Sequence, residues 1–211
     1  MPKIIGVISF KGGVSKTTTA VHVAAHLSAR GKTVAVDGDD RNRSLMNWAS
    51  GESLPFEVMS MMEAFNSKGV EYLVVDVRGG LPDVELFDLA KACDLLLIPA
   101  NPEVMSLDGM RRTFDVLRDE EERRGKPWQA KVATVLTMVR PGRKLEQAKA
   151  ALGALGIPVL EHTVRASEAF KDASSMGVLV RDVKTNSLAH ECWNDYGAVV
   201  AESLRLVGEK Q

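Results

Sequence analysis

The chain is predicted to adopt an α/β fold, a mainly parallel sheet with helices on both faces, and two observations predict it. Short apolar runs alternate with segments of helical character along the whole sequence. A glycine-containing turn, Phe10 to Thr19, joins the first apolar run to the first helical segment, and strand, glycine turn, helix is a phosphate-binding arrangement. With 211 residues, 45% of them hydrophobic, the chain can bury one substantial core. A single domain over residues 1–211 is expected, without repeats, low-complexity tracts or a dividing linker.

The first strand is expected from Ile4 to Ile8, and the turn Phe10-Lys11-Gly12-Gly13-Val14-Ser15-Lys16-Thr17-Thr18-Thr19 follows it. Gly12 and Gly13 let the backbone curl and aim its N–H groups at phosphate oxygens. Lys16 adds a mobile charge for the β- and γ-phosphates, and the next helix directs its positive end to the same place. Thr17 stands where a hydroxyl would ligate Mg²⁺. The general phosphate-loop formula asks for glycine where Phe10 and Ser15 stand. If the second of those positions needs a positive φ, serine strains the loop.

The first helix should run from Thr17 to Arg30, with Gly31 as its stop. His22 and His26 lie four apart on it with no third ligand, and a structural or surface role is expected. Thr33 to Val36 forms a second strand that delivers Asp37-Gly38-Asp39-Asp40-Arg41 at its carboxyl end. Asn42 to Ala49 contains a short helix, and a short strand and helix lie between Phe56 and Lys68. Tyr72 to Asp76 is a third buried strand ending in an acid, followed by Gly79-Gly80, whose backbone could approach a γ-phosphate. Arg78 is expected to face solvent. Then come a helix from Pro82 to Cys93, a strand from Leu95 to Ile98, a helix from Ser106 to Arg124 with a solvated charged end, and a strand from Val132 to Met138. A helix from Lys144 to Leu155, a strand near Val159-Leu160, a helix from Ala166 to Met176 and a last helix from Ser187 to Leu206 complete the order.

Net charge is -1, so bulk charge announces no nucleic-acid binder and any such contact must be a local patch. Between Arg140 and Lys184 bases exceed acids by three, which suits either a phosphate-contacting face or ordinary solubility. Cys93 and Cys192 lie far apart with no CxxC, which argues against a disulfide framework or zinc site and for a reducing compartment. Met1-Pro2-Lys3 leads straight into a strand and no run is long enough to cross a bilayer, so a cytoplasmic protein is expected.

Lys11-Gly12-Gly13-Val14-Ser15-Lys16-Thr17-Thr18 resembles the deviant Walker A box of the ParA/MinD family of P-loop NTPases. Asp37-Gly38-Asp39-Asp40 is similar to that family's Walker A′ element, with Asp40 in place of the usual proline, and Val74-Val75-Asp76 to its Walker B element. The motifs stand in family order over nearly the whole chain, most like the small ParA type of plasmid partition proteins. The resemblance implies ATP and Mg²⁺ as cofactors, with Lys11 to Thr18 around the phosphates. Lys11 would reach the nucleotide of a second subunit, Asp37 would position the attacking water, and Thr17, Asp37 and Asp76 would serve the metal. Arg140, and with it Thr137, would lie by the adenine. It further implies a slow, partner-stimulated ATPase that dimerises around ATP, binds non-specific DNA of the nucleoid and answers to a ParB-like or other adaptor. The segment Thr163 to Phe170 is similar to part of the carboxyl-terminal region that binds DNA in ParA-type proteins, which makes Arg165, Lys171, Arg181 and Lys184 the candidate DNA contacts.

Alternatives stay open on the cargo, which a plasmid, a chromosome or a protein assembly such as a carboxysome or chemotaxis cluster would satisfy equally. A nucleotide-bound adaptor that hardly hydrolyses is a further reading, prompted by Ser15 and Asp40. Membrane binding of the MinD kind is disfavoured by the short, polar end from Ser203 to Gln211, and cluster loading by the lack of a cysteine pair.

Overall fold

The computed structural model describes residues 1–9, 13–64, 66–103, 105 and 107–209. Six strands form one sheet: β1 (Lys3–Val7), β2 (Thr33–Gly38), β3 (Glu57–Ser60), β4 (Tyr72–Val77), β5 (Leu95–Ala100) and β6 (Lys131–Leu136). Their order is β3-β2-β4-β1-β5-β6, and every pairing is parallel. The helices are α1 (Lys16–Ser28), α2 (Ser44–Ala49), α3 (Met61–Ala64), α4 (Asp83–Ala92), α5 (Leu107–Arg124), α6 (Arg143–Ala154), α7 (Ala169–Met176) and α8 (Ala189–Leu206).

Side chains alternate across a strand, and here both faces are apolar because both are covered. Leu95 and Leu97 of β5 pack with Val21 and Leu27 of α1 and with Val199 and Leu204 of α8. Their neighbours Leu96 and Ile98 face the other way, toward Leu86 of α4, Leu117 of α5 and Leu152 of α6. Leu95, Leu96 and Leu97 are fully buried, and each such side chain is worth about 2–3 kcal/mol against exposure.

Two expectations of the secondary structure need correcting. No named strand forms at Val159-Leu160; residues there touch β6 by isolated bridges, Thr134 with Val159 and, further on, Val139 with Arg165. Pro158 lacks an N–H and can only accept, from Thr134 N–H at 2.8 Å, which breaks the ladder. The helix expected from Ala166 begins at Ala169, because the Ala166 N–H is held by the Val139 carbonyl at 2.8 Å in extended pairing. A 3-10 turn at Val180–Asp182 was not foreseen.

The chain leaves β1 for β2 on one side and, after β4 has inserted between them, continues to β5 on the other. The carboxyl ends of β1, β4 and β5 therefore meet where the winding reverses, which is where open α/β sheets bind ligands. Asp37 and Asp76 arrive there side by side, as register partners on β2 and β4.

Candidate nucleotide site

A cleft of about 720 Å³ opens at that point. It is lined by the turn and first helical residues Gly13, Ser15, Lys16, Thr17 and Thr18, by Asp39, Arg41 and Asn42 after β2, by Arg78, Gly79 and Gly80 after β4, and by Met138 after β6. Three cations against one acid among these residues suit a polyanion.

Beneath the cleft lies Asp76, 1% exposed. The Lys16 ammonium lies 3.0 Å from its Oδ1, and the Thr17 hydroxyl donates to its Oδ2 at 2.6 Å. Burial pushes the Asp76 carboxyl above the usual carboxylate range, against the opposing pull of Lys16 and the Thr17 hydrogen bond. Lys16 is thus an internal counter-ion that a phosphate can recruit. Among the described residues no group of three His, Cys, Asp or Glu could hold a metal unaided. The oxygen donors Thr17 and Asp76 fit Mg²⁺, which is held by one or two protein oxygens together with substrate phosphates and water.

The turn has the backbone that the sequence suggested. Gly13 has φ 77°, and Ser15, the residue before α1, has φ 64°, ψ 30°. A serine in the left-handed region costs about 1–2 kcal/mol relative to its relaxed form, so Ser15 is strained at the point where the loop enters the helix. Val14 lies outside the cleft lining, buried, with its carbonyl accepting from the Thr137 hydroxyl at 3.3 Å. Lys11 and Gly12 lie outside the described residues.

Other expected positions move. Asp37 is 5% exposed and both its oxygens are taken: Oδ1 accepts the Asp39 N–H, and Oδ2 accepts the N–H groups of Leu45 and Met46, each at 3.0 Å. It pins the start of α2 and does not line the cleft. The acid that does line the cleft is Asp39. Hydrogen bonds from the Asn42 side chain and backbone hold the Asp39 carboxyl below its usual range, at 2.9 and 3.2 Å, and the Lys16 charge adds to them. Asp39 belongs to the Walker A′-like element, and its Asp-x-x-Asn spacing to Asn42 is the pattern of a side chain capping its own turn.

The Arg140 guanidinium reaches Glu103 at 3.4 Å, and among the residues after β6 it is Met138, with φ 55°, that lines the cleft. Thr137, fully buried beneath Val14, buttresses the turn instead. Arg165 is paired: its Nε and Nη2 form a fork on Asp195 at 2.7 and 2.9 Å, and its own N–H donates to the same carboxylate. That charge is neutralised within the fold. Lys171 pairs loosely with Glu168, Arg181 stacks over Trp193 at 4.5 Å, and Lys184 is exposed. Arg78 both lines the cleft and pairs with Glu85 at 2.6 Å, so it does not face solvent alone.

His22 carries the structural role expected of it. It is fully buried; its Nε2 accepts the Val180 N–H at 3.2 Å, so the proton sits on Nδ1, which donates to the Thr18 carbonyl at 2.7 Å. Tyr196 stacks on it, and Trp48 and Phe170 meet its edges. His26 stacks on Trp193 at 3.7 Å. Helix α1, which carries Lys16 and Thr17, is thereby bolted to the 3-10 turn and to α8.

Comparison with known proteins decides the family. The family model described as VirC1 protein matches residues 2–194. The chain belongs to the VirC1 family, among the ParA/MinD-type ATPases. It is 31% identical over 95% of its length, and 94% of the relative's, to the maintenance of carboxysome distribution protein A of Gloeobacter kilaueensis. It is 30% identical to the protein ParA of Rhizobium radiobacter, over 76% of this chain and 77% of that one. Among solved structures, apo McdA of Cyanothece superposes with a TM-score of 0.72 at 17% identity, covering 99% of this chain and all of the other. MinD of Pyrococcus horikoshii, complexed with Mg-ADP, superposes with a TM-score of 0.67 at 19% identity over 99% and 98% of the two chains. A VirC1-family chain of ParA/MinD type is a P-loop ATPase by descent.

Proposed function

We propose that this VirC1-family chain is an ATP-driven positioning switch. ATP with Mg²⁺ joins two copies, the pair holds non-specific DNA, and hydrolysis stimulated by an adaptor protein releases it. The observation that carries the reading is the Lys16–Asp76–Thr17 cluster at the floor of a cationic cleft. Lys16 leaves its carboxylate for the β- and γ-phosphates and neutralises charge that develops there. Thr17 and Asp76 would hold Mg²⁺, which would supply neutralisation of phosphate charge. Asp39, held ionised by Asn42, orients a water on the open side. That water's oxygen bonds to the γ-phosphorus while the bond to the β–γ bridging oxygen breaks; the electron pair leaves on ADP, and a proton passes from the water to the phosphate product or solvent.

Lys11 is proposed to add a cation to the partner copy's nucleotide. Lys171, Arg181 and Lys184, on neighbouring elements, are the proposed DNA contacts, doubled by dimerisation. The work is assigned to the cytoplasm and nucleoid, and the whole chain to one domain. No described helix is long and apolar enough to cross a membrane. A protein cargo is a second reading of the same switch, favoured by the two relatives named for carboxysome distribution.

Light scattering and DNA retention test the switch. With ATP and Mg²⁺ the parent should double in mass and bind arbitrary DNA with an affinity that falls steeply with salt, whereas Lys11→Ala should stay monomeric. Lys184→Ala should lower retention and reduce the salt slope by about one. A parent that stays monomeric, or a Lys11→Ala variant that behaves identically, removes the dimer from the account.

A further inference from the structure

Among the described residues, Arg78 is the one cation of the cleft that neither the phosphate turn nor the loop after β2 supplies. It stands two residues beyond Asp76, about 7 Å along an extended strand, at the end of the strand that anchors Lys16 and Thr17. The loop that bears it is fixed at both ends. Val77 is buried in the sheet, and the Gly80 N–H donates to the Ser9 carbonyl, just before the phosphate turn, at 3.1 Å. Gly80 has φ 68°, a conformation open to glycine, and this lets the loop fold back over the turn. The guanidinium is held by Glu85 of α4 at 2.6 Å, with side-chain exposures of 37% and 47%. A pair that exposed is weak, and a single carboxylate competes poorly with a terminal phosphate bearing two charges.

We propose that Arg78 senses the γ-phosphate: it exchanges Glu85 for the terminal phosphate of ATP, so that the chain supplies from its own loop a cation that ADP cannot engage. Resting on the nucleotide reading of this cleft, the proposal adds a built-in discriminator between ATP and ADP. Movement of Arg78 away from Glu85 frees the amino-terminal turn of α4, where Glu85 then faces solvent without its counter-ion. The nucleotide state is thus written onto α4. Charge alone is not sufficient for the exchange, because the planar fork of arginine matches two phosphate oxygens at once.

Calorimetric titration with a non-hydrolysable ATP analogue and with ADP, both with Mg²⁺, tests this. Arg78→Ala should weaken the analogue by about tenfold or more and ADP by less than about twofold, with an unchanged melting temperature in the absence of nucleotide. Arg78→Lys, keeping charge without the fork, should recover only part of the loss, and Glu85→Gln should strengthen the analogue by about two- to fivefold. Equal loss for analogue and ADP in Arg78→Ala, no loss for either, or a Glu85→Gln variant that binds the analogue more weakly would each overturn the assignment. Should Arg78→Ala fail to fold, Arg78→Lys and Glu85→Gln decide alone. A parent that binds neither nucleotide fails the reading of the cleft itself, whereas a parent that binds both with an indifferent Arg78 fails only this inference.

Discussion

Lys16→Ala should lower affinity for Mg-ATP by about 100-fold, or about 2.7 kcal/mol, when measured by titration calorimetry. Lys16 is the only cation among the described residues within ion-pair distance of Asp76, and it lies on the first turn of α1, whose amino end opens on the cleft. Its removal also leaves Asp76, 1% exposed, without a counter-ion. Burial already pushes that carboxyl upward, so the variant relieves the problem by taking up a proton instead of keeping a buried charge. The expected stability loss is therefore moderate, about 1–3 kcal/mol in denaturant unfolding, below the 3–5 kcal/mol typical of a broken buried pair. Full-strength nucleotide binding by a folded Lys16→Ala protein would place the phosphates elsewhere.

Stability should fall steeply between pH 6.5 and 4. His22 and His26 are each lowered from 6.5 to about 4, chiefly by burial, which outweighs their hydrogen bonds to the Thr18 and Trp193 carbonyls. The unfolded chain then binds protons that the folded chain refuses, so stability is fully present above the unfolded value and is lost as pH drops toward the folded one. For the fully buried His22 the difference is worth about 3 kcal/mol at the acid end. His26, partly open to solvent, adds less. Urea unfolding at pH 7, 5.5 and 4.5 should show this slope, and His22→Gln should flatten more than half of it. A parent as stable at pH 4.5 as at pH 7 would mean that the His22 site opens to water. Since His22 joins the Thr18 carbonyl to the Val180 N–H, acid should loosen the link between α1 and the 3-10 turn before the sheet melts.

The strands were legible because a parallel sheet covered on both faces needs unbroken apolar runs, and Leu95 to Ile98 has no other use. The phosphate turn was legible for a similar reason: Gly13, Ser15, Lys16 and Thr17 form one local unit, and even the strain at Ser15 followed from the pattern. What the sequence hid lies between distant residues. Arg165 looked like a free surface base, yet Asp195, which pairs with it, lies 30 positions on in α8. Asp37 and Asp39 differ in which N–H groups reach them, and no composition or spacing rule separates an acid that caps α2 from one that lines a cleft. Arg140 reads as a strand-end base until Glu103, from a different loop, is seen to hold it. Propensity and periodicity describe local structure; these assignments turned on contacts made across the sheet.

The claim at the centre is that Thr17 and Asp76 sit where Mg²⁺ and a nucleotide's phosphates are bound together. Titrating the parent with ATP in the presence of Mg²⁺, and again with a chelator, tests it most directly. Saturable binding near one nucleotide per chain, weakened at least about tenfold by the chelator and similarly by Asp76→Asn, is the result expected. Binding that is absent, or that is indifferent to both the metal and Asp76, would contradict it.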